Sequence, residues 1–210
     1  MRAGVARVAY CRGVRWDRFF EDLEDQLDSE WEAERAALDT EAERLRLSRV
    51  ALRERLVALA GGSRGIALHT PDGGVHLGRL TRVGADWCAL LGDAPAGAVI
   101  VPLWGVTEIA APADALLASV RDADAGPALG QRMGFGFVLR DLVRRRIPVT
   151  LHLAGGRTLD GTIDRAGADH LDVALHEPGA PRRAENVTGY RIVPFTGVLA
   201  VRLASASDLG

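Results

Sequence analysis

The stretch from residue 61 to about 110 recurs, with one insertion, from residue 146 to about 203. Leu68 and His69 match Leu151 and His152, Gly73 matches Gly156, and Gly78 matches Gly161, all at an offset of 83. Residues 80–86 match residues 163–169 at the same offset, and both segments end in Gly-Ala-Asp. After an insertion of nine residues, Val101-Pro102 and Gly105-Val106 match Val193-Pro194 and Gly197-Val198 at an offset of 92. A unit of roughly 50–60 residues is marginal alone, so two copies that share buried surface are the more stable arrangement.

Inside each unit the apolar residues alternate. Ile66, Leu68, Val75, Leu77, Leu80, Val83, Trp87, Leu90 and the run Val99-Ile100-Val101 lie between turn signals at 71–74, 84–86 and 93–97. Short alternating strands with frequent turns indicate a small all-β barrel or sandwich. Residues 16–60 read differently, because they contain no Gly or Pro and are rich in Ala, Leu, Glu and Arg. Apolar positions three or four apart make one stripe along a helix about 60 Å long, with a shift of face near 46–48 that predicts a kink or a second helix. Such a stripe is too long to be covered by one small barrel, so a hairpin or pairing with a second chain is expected, the homodimer being favoured. Short helices are expected at 114–121 and 129–145.

The second unit, Val149-Thr150-Leu151-His152-Leu153 followed by Gly155-Gly156, Leu159, Gly161 and Ile163, resembles the Sm-like (LSm) family, and 66–80 fits the same pattern. The tandem layout is similar to that of actinobacterial proteins of this kind. The resemblance implies an α+β chain in which a long N-terminal helix or helical hairpin precedes two five-stranded barrels joined by a short helix. The segments are 1–15, an acidic helical or coiled-coil segment 16–60, a first barrel 61–112, a connector with a short helix 113–145, a second barrel 146–204 and a tail 205–210. The family's uridine-binding Asp and Asn and its Arg-Gly turn are missing: the loops read Gly84-Ala85-Asp86-Trp87 and Gly167-Ala168-Asp169-His170, and the later turn reads Pro102-Leu103 and Pro194-Phe195. Its base-binding residues therefore do not carry over.

Charge is unevenly spread along the chain. Residues 17–43 hold twelve acids and two arginines, a net of −10, and the rest holds 24 arginines and 16 acids, a net of +8. Lysine is absent, and with abundant Ala, Gly and Asp this indicates a GC-rich genome. No apolar run reaches the roughly 18 residues of a membrane span, residues 1–15 lack the apolar core of a secretion signal, and Cys11 and Cys88 sit in unrelated contexts. Free thiols in the cytoplasm, with no membrane association, are the expectation.

Chemistry-bearing motifs are scarce. No nucleophile elbow, phosphate-cradling glycine loop or paired-carboxylate pattern is present, and Gly134-Phe135-Gly136 does not follow a strand. The five histidines show no metal-ligand spacing, and no cofactor is expected. Asp86 and Asp169 read as caps of their own turns, and His69 and His152 as surface residues of the strands. The expectation is a non-enzymatic interaction or scaffold protein that oligomerises through its acidic helix, with Trp16, Phe19, Phe20, Leu23, Leu27 and Trp31 as contact residues. The alternative is an RNA- or DNA-associated regulator that uses Arg144, Arg145, Arg146, Arg157, Arg165, Arg182 and Arg183 on phosphates.

Overall fold

The uninterrupted helix formers of residues 16–60 make two helices. The computed structural model describes residues 10–92, 97–121 and 129–209, with side chains from Arg18 onward except that of Arg121. The side chains of Cys11 and Trp16, the turn at 93–96 and the connector stretch 122–128 fall outside the described residues. α1 spans Tyr10–Ser48 and α2 spans Leu52–Ala60. The Ala51 N–H at the start of α2 donates to the Glu54 carboxylate at 3.0 Å, which occupies one of the donors a helix start leaves unpaired. Residues 1–49 form one unit and residues 50–210 another.

In the second unit, strands β1 (Gly65–His69), β2 (Val75–Val83), β3 (Trp87–Leu91), β4 (Ala98–Pro102) and β5 (Glu108–Ala110) precede helices α3 (Ala113–Arg121) and α4 (Phe135–Arg145). Strands β6 (Pro148–Leu153), β7 (Thr158–Ala166), β8 (His170–Leu175), β9 (Gly189–Pro194) and β10 (Val198–Leu203) follow. They form one antiparallel sheet in the order β5-β1-β2-β3-β4-β10-β6-β7-β8-β9. This corrects the expectation of two five-stranded barrels. The seam is the pairing of β4 with β10, with Ile100 opposite Val201, Val99 opposite Arg202 and Ala98 opposite Leu203. The fourth strand of the first half pairs with the last strand of the second, so neither half closes on itself, and β5 and β9 remain as edges.

The physical reason lies in β4. Ala98, Val99, Ile100 and Val101 are all buried, so the strand is covered on both faces and reads as an unbroken apolar run. Val99 and Val101 face a core with Leu56, Leu68, Leu80 and Leu90. Ala98 and Ile100 face a larger one around Phe135, Leu139, Leu151, Ile163 and Val173. Each fully buried Leu or Ile stabilises the fold by about 1.5–3 kcal/mol, so the two cores hold the central strands from opposite sides.

The matched elements sit at matched places. β2 and β7 each slip register once, between Leu80 and Arg82 and between Ile163 and Arg165, and a bulge of this kind bends a strand. Just before each slip, a Cβ on Gly78 would lie 2.6 Å from the Leu91 carbonyl oxygen, and one on Gly161 would lie 2.1 Å from that of Ala174. Only glycine lets the neighbouring backbone come this close.

Candidate interaction surfaces

Every described side chain of α1 is exposed. Phe20, Leu27, Trp31, Leu38 and Leu45 follow the helical repeat along one face; Trp31 is 62% and Leu38 65% exposed. Phe19 lies edge-on to Phe20 with ring centres 5.9 Å apart, and Leu23 is also exposed. On the rest of the surface Arg46 forks onto Glu43 at 2.7 and 2.8 Å, and Arg44 lies 3.7 Å from Glu41. Exposed pairs of this type contribute at most about 1 kcal/mol each. The helix therefore carries an apolar stripe of five to seven large side chains within a strongly acidic surface. Exposed apolar stripes of that extent mark contact sites.

Most of the arginines named for phosphate contact lie close to acids. Seven of the 24 outside residues 17–43 flank the acidic segment (Arg2, Arg7, Arg12, Arg15, Arg44, Arg46, Arg49), so residues 50–210 hold 17 arginines against 16 acids, a net of +1. Of the seven singled out for phosphate contact, five have an acid within reach. Arg144 and Arg145 both bond Asp141, at 2.5 and 2.8 Å. Arg182 forks onto Asp164 at 2.9 and 2.5 Å, Arg165 lies 3.7 Å from Asp172, and Arg183 lies 3.9 Å from Glu185. Arg145 also donates to the Asp208 backbone carbonyl. Arg157 precedes β7 and Arg165 lies near its far end. Arg146 ends α4 in the left-handed region, with φ of 55° and its N–H directed to the Leu142 and Val143 carbonyls. Its backbone is a helix cap.

The two Gly-Ala-Asp turns, matched in sequence, do different work. The Asp86 carboxylate accepts the Phe135 N–H at 2.6 Å, so it caps α4 and not its own turn. Trp87 beside it donates its indole N–H to the Met133 carbonyl at 2.8 Å. Phe135 in turn stacks edge-on with Trp104 and Phe195, ring centres 5.3 and 5.8 Å away. The Asp169 side chain is 89% exposed and meets only the ring of His170, at 2.9 Å.

Three further features were not singled out from the sequence. The first is the edge strand β9, where Tyr190 is 61% and Ile192 75% exposed. They occupy the places of buried Ala98 and Ile100, a contrast the repeat alignment contains once the sheet order is known. The second is a cleft of about 560 Å³ floored by Val83, Trp87, Val138 and Leu142, with Arg82 and Arg145 among its polar lining. The third is His76, which is buried and lies edge-on to His152 at 5.5 Å. His152 thus belongs to an internal contact, in contrast to its reading as a surface residue.

Burial pushes the Cys88 thiol up to about 12, which makes it inert as a nucleophile. Among the described residues no group of three or more His, Cys, Asp or Glu side chains is placed to hold a metal ion, and no helix is long and apolar enough to cross a membrane. No family model, curated protein or solved structure matches the chain.

Proposed function

We propose that the chain is a non-enzymatic scaffold protein that assembles with further copies of itself through the open edges of its sheet and presents α1 as a second contact surface. The observation that carries this reading is the β4–β10 seam. By the offset of 92, Ile192 on β9 is the counterpart of Ile100 on β4, and Ile109 on β5 is the counterpart of Val201 on β10. Ile100 and Val201 face each other across the seam. The two strands left unpaired at the sheet's ends are thus the counterparts of the two joined at its centre. An exposed apolar edge invites pairing, and β9 presents Tyr190 and Ile192 on either side of an exposed Arg191, with Pro194 confined to the strand's end. A contact of unlike edges is heterologous and generates a ring or a filament.

α1 supports the interaction reading through its exposed stripe. Self-pairing of α1 along its whole length brings two helices of net −6 together, so the edges are the stronger candidate for self-assembly. A nucleic-acid role has less support, because residues 50–210 lack a basic excess and most of the arginines concerned are paired.

By the same correspondence, the register expected of the assembly puts Ile192 of one copy opposite Ile109 of the next. The test mixes an Ile109→Cys chain with an Ile192→Cys chain, both carrying Cys11→Ser. Residues opposite each other on antiparallel strands lie about 4.5–5.5 Å apart at Cα, within disulfide reach. Mild oxidation is expected to give the mixed disulfide in preference to either homodimer. The statistical proportions of random pairing, or any lower share of the mixed disulfide, would overturn the register.

A further inference from the structure

His76 and His152 come from different halves of the sheet. His76 stands opposite Leu68 in the β1–β2 pairing and shares its face. His152 stands opposite Ala200, whose side chain belongs to the first-half core. The two rings meet at 5.5 Å with an interplanar angle of 83°. Neither nitrogen of the His76 ring has a hydrogen-bond partner, nor has Nε2 of His152, and all three atoms are buried. Buried imidazole nitrogens without partners are uncommon, and each is unfavourable because its lost hydration is not replaced.

The charged groups around the pair do not rescue an added proton. Asp72, from the β1–β2 turn, and Asp160, on β7, attract it. Both carboxylates are already engaged, Asp72 with the Thr70 hydroxyl at 2.5 Å and the Gly74 N–H at 3.1 Å, and Asp160 with the Thr150 hydroxyl at 2.5 Å. Arg202, on β10, repels the proton from both rings, and each ring repels it from the other once charged.

We propose that the His76–His152 contact is an acid-sensitive clasp. With both imidazoles neutral it holds the β1–β2 hairpin of the first half against β6 of the second. When either ring takes up a proton, the contact opens and the hairpin separates from β6. Burial, then the neighbouring His152 and Arg202, push His76 down to about 4. Burial, then Arg202, also lower His152. The closed form binds protons less tightly than the open form, whose histidines titrate near 6.5. The clasp is therefore at full strength above pH 6.5 and weakens as pH falls from 6.5 towards 4. In that window the open-to-closed ratio rises by up to about tenfold per pH unit for each proton taken up. Asp72 is lowered from its ordinary value and titrates below this window.

The experiment is amide hydrogen exchange on the full chain at pH 7.5 and 5.0, expressed as protection factors for residues 66–76 against those for α4. Protection of the hairpin is expected to drop at least tenfold relative to α4 at the lower pH, and a His76→Phe/His152→Phe double variant, which has no ring to protonate, is expected to keep it at both. Ring titration by NMR is the second measurement, and it does not depend on how the variant folds. Wild-type rings that titrate near 6.5, or hairpin protection that follows α4 at both pH values, would overturn the clasp. So would a well-folded His76→Phe/His152→Phe chain that loses hairpin protection at pH 5.0 as the wild type does.

Discussion

The Asp86 carboxylate accepts the backbone N–H of Phe135 at 2.6 Å, so a turn in the first half caps the helix that leads into the second. Asp86→Ala is expected to cost about 1 kcal/mol, the usual loss of a helix cap. Asp169→Ala, at the matched turn, should change stability by less than about 0.5 kcal/mol, because that side chain is almost fully exposed. Urea denaturation of the two variants separates the roles. Equal losses would mean that Asp86 matters only to its own turn.

Gly161 tolerates no side chain, since its Cβ would sit 2.1 Å from the Ala174 carbonyl oxygen. Gly161→Ala is expected to destabilise by about 3 kcal/mol, at the upper end of overpacking effects. Gly78→Ala meets the Leu91 oxygen at 2.6 Å and should cost less. Thermal unfolding of both gives the ranking.

Arg146 holds a left-handed conformation at the end of α4 that glycine adopts without strain. Relief of the strain outweighs glycine's extra freedom in the unfolded chain by a small margin, so Arg146→Gly should raise stability by about 0.5–1 kcal/mol. If Arg146 also contacts nucleic acid, the same variant would weaken binding to a random oligonucleotide at low salt. No such loss is expected.

Cys88 is fully buried, and its thiol is pushed up to about 12. In a Cys11→Ser background, alkylation at pH 8 should proceed only as fast as the sheet opens and should accelerate with sub-denaturing urea. Rapid labelling of the native chain would place Cys88 at the surface.

Much of the fold was legible from local pattern. Alternation marked the strands, the stretch without Gly or Pro marked the helices, and the constant offsets marked the matched elements. What local pattern could not supply was the partner of β4. Its unbroken Ala98-Val99-Ile100-Val101 run indicates burial on both faces, but the identity of the second covering strand is a long-range choice that periodicity does not encode. The pairing of the arginines was hidden from the sequence for a related reason. Counted along the sequence, Arg144, Arg145 and Arg182 are a basic cluster, whereas in space Asp141 and Asp164 neutralise them. His76 carried no sequence signal at all, because its burial against His152 depends on two strands that are not neighbours in the sheet.

The central claim is assembly through the sheet edges, and the most direct test is the mass of the full chain in solution. Light scattering over a dilution series is expected to give multiples of the 22.4 kDa chain mass. Ile192→Lys, which places a charge on the exposed edge, should return the chain to its single-copy mass with an unchanged circular dichroism spectrum. A wild-type chain that stays at 22.4 kDa throughout, or an assembly that survives Ile192→Lys intact, would contradict the account.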